Sequence, residues 1–142
     1  MQLWKKLYNT VWLAFFSCVP VPRWMGSTVG LPIHALLGLG MLAMTWSNAR
    51  QLAVLPVPSR LKRISKVAAG FAVFQLISGL SLGAIAHLAL NLTLVTQVLR
   101  GAHVVSALAI LAQSSSVATA YDMGEEKEFE EAPSRQKTGS PQ

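Results

Sequence analysis

The chain has 142 residues, 52% of them hydrophobic, a mean hydropathy of +0.44 and a net charge of +6. Charged residues make up 13%, about half the share usual in a soluble domain, so the composition is that of a membrane protein with room for three or four crossings. All six acids fall between Asp122 and Glu131, leaving residues 1–121 with nine Lys or Arg and no Asp or Glu, which excludes a carboxylate pair of the glycosidase or aspartic-protease kind from the membrane part.

The cations sit between apolar runs rather than on a soluble basic face, which points to membrane topology and not to a nucleic-acid partner. Cys18 is the one cysteine, so an internal disulfide and a four-thiolate metal site are both excluded.

Along the chain, Lys5 and Lys6 precede an apolar run from Leu7 to Val21, closed by Pro20 and Pro22. Three readings of this segment stay open: a short first membrane helix, an interfacial amphipathic helix, or a cleaved signal sequence. Trp24 to Gly30 is a short connection, and Pro32 suits the first turn of the next helix, where its missing N–H costs nothing. That helix is predicted from Leu31 to about Asn48, uncharged, with Trp46 as an interfacial aromatic and Arg50 as its stop.

Gln51 to Lys66 reads as a loop containing Pro56, Pro58, Arg60, Lys62, Arg63 and Lys66. The positive-inside rule places it in the cytoplasm. The C-terminal tail then lies inside, and if the N-terminal segment crosses, both termini do, with ten cations inside and only Arg23 and Arg100 outside. Val67 to Tyr121 has one formal charge, Arg100, and is long enough to cross twice. The predicted helices are Val67 to Ala89 and Gln97 to Tyr121, with the turn in the polar cluster Asn91, Thr93, Thr96 and Gln97. Gln75 falls at mid-depth, where it needs a partner. Ser114, Ser115 and Ser116 are expected to hydrogen-bond between helices. Asp122 to Gln142 is expected to be an acidic, largely disordered cytoplasmic tail.

Depth counted from the basic side gives the candidate site. At 1.5 Å per residue, His34 lies roughly 24 Å above Arg50, His103 roughly 27 Å above Tyr121 and His87 roughly 31 Å above Lys66. His34 and His103 match best, as two axial ligands on one haem iron require. Gly38 lies one turn from His34, and Gly79, Gly83 and His87 form an i, i+4, i+8 stripe that a flat porphyrin could approach. Arg100, three residues before His103, suits a propionate. Other metal or quinone contact and simple packing remain alternatives for the pair. His87 reads as an interfacial polar residue or a further ligand.

Phe74-Gln75 followed by Gly79, and Gly101-Ala102-His103 opening a long apolar helix that ends in an acidic segment, resemble one four-helix half of the haem A synthase family. The resemblance covers about residues 31–122. It implies haem ligation by His34 and His103 toward the outer side. Catalytic members carry a Glu three residues before the second-helix His, where this chain has Leu31. The resemblance therefore implies haem binding rather than haem oxidation.

The expectation is an all-α, polytopic membrane four-helix bundle over residues 1–121, in the cell membrane. It binds haem b and serves electron transfer or haem handling, beside a respiratory complex or as a homo-oligomer. The alternatives are a half-size haem A synthase-like oxidoreductase and a cofactor-free accessory subunit.

Overall fold

In the computed structural model the described residues form helices and the short turns between them. The structure describes the backbone of residues 3–18 and 30–138, and the side chains of residues 3–18 and 30–124. Helix α1 runs Leu3–Cys18, α2 Gly30–Val54, α3 Ser59–His87 and α4 Thr93–Thr138. The expected connection around Trp24, with Pro20, Pro22 and Arg23, lies outside the described residues apart from Gly30. So does the side-chain structure of the acidic tail beyond Gly124, where the backbone of α4 continues.

Three boundaries differ from those expected. Arg50 does not stop α2, because arginine is a good helix former. The helix runs on to Val54 and ends before Pro56, whose ring disfavours helical geometry at the preceding residue. The basic segment is likewise mostly helix. Pro58 stands just before the first turn of α3, and the amide of Leu61 donates to its carbonyl at 3.0 Å. Arg60, Lys62, Arg63 and Lys66 thus ride on the first two turns of α3. Lys62 Nζ donates to the Ala53 carbonyl at 3.1 Å, satisfying an otherwise unpaired acceptor at the end of α2.

The turn between α3 and α4 lies at residues 88–92, before most of the polar cluster expected to form it. Ala89 adopts φ 50°, and the Leu90 amide donates to the Ile85 carbonyl at 3.1 Å. This is a Schellman-type ending, with alanine in the left-handed position that usually takes glycine. Thr93, Thr96 and Gln97 then form the first turns of α4.

Around the bundle, α1 packs on α2 and α4, and α3 packs on the same two helices. The diagonals are therefore α1–α3 and α2–α4. Buried residues recur at three- and four-residue spacing, as side-by-side helices require: Leu7, Thr10 and Ala14 on α1; Met41, Thr45, Asn48 and Leu52 on α2; Leu61, Ser65, Ala68 and Ala72 on α3; Ser106, Ile110, Ser114 and Val117 on α4. Many of these side chains are small, which lets helix backbones approach. Leu7, Leu52, Val117 and Ala118 form one apolar cluster, and Ala14, Met41, Ala72 and Ile110 a second. Asn48 Nδ2 donates to Thr10 Oγ1 at 2.8 Å and fixes α1 against α2 inside the bundle.

Gly30–Val54, Ser59–His87 and Thr93–Gly124 are long and apolar enough to cross a membrane. Only 17%, 22% and 11% of their most apolar windows are buried within the bundle, so the remaining apolar surface calls for lipid rather than water. The fold is an all-α helical bundle with three such helices and the shorter α1. Trp46 holds Arg50 over its ring at 5.5 Å, an arrangement suited to an interfacial belt.

Candidate functional site

Extending the inward-facing stripes of α2 and α4 past the apolar clusters leads to two histidines. On α2 the step from Met41 back by seven residues reaches His34. On α4 the step from Ser106 back by three reaches His103. The helices are diagonal partners, so these side chains meet across the bundle axis. The ring centroids of His34 and His103 are 6.1 Å apart with an interplanar angle of 56°, and both residues are half-buried.

Helix α3 holds His103 from the side with three residues on one face. Gln75 Nε2 donates to the His103 carbonyl at 2.8 Å, so the mid-depth glutamine finds its partner in the backbone of the neighbouring helix. Ser78 Oγ donates its hydrogen to the Gln75 carbonyl at 3.1 Å. The same oxygen lies 2.8 Å from His103 Nδ1. The Ser78 hydroxyl thus bridges the α3 backbone and the His103 ring, with donor and acceptor in the second contact set by the ring's tautomer. Gly79 completes the face: a Cβ there would come within 3.3 Å of His103 Cε1, so glycine lets the ring lie against the α3 backbone.

His34 has no comparable support. Its Nδ1 is buried without a hydrogen-bond partner, as is Gln75 Oε1. Buried polar atoms are rarely left so, and an unpaired imidazole nitrogen beside a second imidazole asks what else it bonds.

The other candidate residues fall around this pair rather than in it. A Cβ at Gly38 or Gly83 would meet nothing within 4 Å, so the space beside both is open. His87 is the last residue of α3 and is exposed. Arg100 is exposed one turn before His103. Ser78 is the residue that sequence reasoning misses. Its signal is positional: it stands three residues after Gln75 and one before Gly79, on the face that meets α4. Of the three serines expected to join helices, Ser114 is buried in the bundle, while Ser116 Oγ donates to the Ala112 carbonyl of its own helix at 2.9 Å.

The donor set restricts what the pair can hold. Among the described residues no group of three or more His, Cys, Asp or Glu side chains is placed to surround a metal ion. A structural zinc shell needs four protein ligands. Two imidazoles suffice only for a metal that brings its equatorial donors with it. No family model, no curated protein and no solved structure matches this chain.

Proposed function

We propose that this membrane protein binds one b-type haem between His34 and His103 and serves electron transfer or haem handling at the membrane. The observation that carries the reading is the meeting of these two imidazoles across the α2–α4 diagonal, with ring centroids 6.1 Å apart. When bound, haem supplies a one-electron iron couple. The chain's own contributions are distinct. Ser78 hydrogen-bonds His103 Nδ1, which leaves Nε2 as the nitrogen that would bind the iron. Gln75 fixes the backbone that carries His103. Gly38 and Gly83 leave open flanks, and Arg100 offers a cation to a propionate. The resemblance to haem A synthases would put a catalytic Glu where this chain has Leu31, so the reading is a haem carrier rather than a haem oxidase. The excess of Lys and Arg at the start of α3 favours a cytoplasmic location for that end, with the histidines toward the outer leaflet and both termini inside.

Purified protein tests the reading. The expected result is a Soret band and a sharp reduced α-band, with one haem per chain. His34→Ala and His103→Ala each remove the low-spin spectrum, and His87→Ala keeps it. A chain that folds, stays soluble in detergent and remains colourless after haem addition sinks the proposal.

A further inference from the structure

A groove of about 260 Å³ lies between α3 and α4 near the basic end of the bundle, lined by Arg63, Ile64, Val67, Ala112, Gln113 and Ser116. Gln113 is ten residues along α4 from His103, so the groove is roughly 15 Å from the imidazole pair along the axis. The two sites are separate, and a ligand in the groove is independent of haem at the histidines.

The groove has two chemistries side by side. Ile64, Val67 and Ala112 give an apolar wall on helices that span the membrane. Arg63 gives an exposed cation, flanked along α3 by Arg60, Lys62 and Lys66, and the first acid on α4, Asp122, stands six residues past Ser116 and accepts from Tyr8 at 3.2 Å. Among the polar side chains between them, one buried acceptor is unpartnered and one hydroxyl is already engaged. Gln113 Oε1 is buried without a partner, and Ser116 has already given its hydrogen to Ala112. A fitting ligand therefore carries a negative charge, hydroxyl groups that donate, and apolar chains.

We infer that the groove is a binding site for an anionic phospholipid with a hydroxylated headgroup, of the phosphatidylglycerol class. Arg63 receives the phosphodiester in the two-pronged manner suited to guanidinium. The headgroup hydroxyls donate to Gln113 Oε1 and Ser116 Oγ, and an acyl chain lies along Ile64, Val67 and Ala112. Basic pockets between helices at the cytoplasmic face are where anionic headgroups collect. The added element here is the unpaired acceptor, which selects among anionic lipids.

The test is lipid retention by the full chain, released from mixed micelles into a native mass spectrometer. The micelles contain equal amounts of phosphatidylglycerol, phosphatidic acid and phosphatidylcholine. Wild type is expected to retain one phosphatidylglycerol in preference to phosphatidic acid, and either in preference to phosphatidylcholine. Arg63→Gln lowers retention of both anionic lipids about fivefold, the loss expected on removing one cation from an anionic surface. Gln113→Leu removes the preference for phosphatidylglycerol over phosphatidic acid while keeping retention of both. Arg60→Gln, outside the groove, keeps the wild-type pattern. Equal retention of all three lipids overturns the site, and so does an Arg60→Gln loss as large as that of Arg63→Gln, which would mean diffuse charge alone.

Discussion

At the scale of single residues, the histidine pair is legible in the sequence because depth survives errors in helix boundaries. Arg50 and Tyr121 mark the basic end of the bundle whether or not the helices stop there, so counting outward from them still levels His34 with His103. Their support is not legible. Gln75 and Ser78 reach His103 from another helix, and these contacts need the rotation of α3 as well as its depth. The prediction at this scale is that Ser78→Ala weakens haem affinity about 10- to 100-fold, as loss of a ligand's hydrogen-bonding partner does, while leaving the low-spin spectrum at saturating haem. Titration of haem into the variant followed by absorbance measures it. Unchanged affinity would show that Ser78 plays no part in holding the ligand. Threonine at the same position keeps the hydroxyl and is expected to restore most of the affinity.

At the scale of elements, the helices are legible and their ends are not. Apolar runs locate every helix, yet the basic segment reads as loop when charge and proline are weighed together. Only the prolines break the helix. Arginine and lysine continue it, and the segment between α2 and α3 shrinks to residues 55–58. The α3–α4 turn makes a sharper prediction. Ala89 holds φ 50°, a conformation that costs a non-glycine residue about 1–2 kcal/mol. Ala89→Gly should stabilise the protein by about 1 kcal/mol, allowing for the entropy that glycine loses on folding. Reversible unfolding in mixed micelles measures the gain; a loss of stability would contradict the left-handed assignment. The Asn48–Thr10 hydrogen bond gives a second test. Thr10→Val should destabilise by about 0.6–2 kcal/mol, the range for a hydrogen bond between membrane helices, and should loosen α1 first because this contact fixes it. Faster backbone hydrogen exchange confined to residues 3–18 is the expected signature.

At the scale of the whole molecule, the bundle is divided along its axis. Apolar clusters and small side chains close the basic half, where α1 contributes Leu7, Thr10 and Ala14. Toward the other end, the described part of α1 stops at Cys18 and the two histidines take over the interior stripe of α2 and α4. The excess of Lys and Arg at the start of α3 favours a cytoplasmic location for that end, so reporters placed in the 55–58 segment and after Gln142 should be accessible from the cytoplasm, and one placed in the 88–92 turn should not. The opposite pattern would reverse the assignment of the two ends.

The central claim is that His34 and His103 together hold one haem, and stoichiometric titration of haem into the purified chain tests it most directly. Wild type should saturate at one haem per chain with a six-coordinate, low-spin spectrum. The His34→Ala, His103→Ala double variant, folded and helical by circular dichroism, should give no such endpoint. A low-spin spectrum that saturates equally in the double variant, or none in wild type, would contradict it.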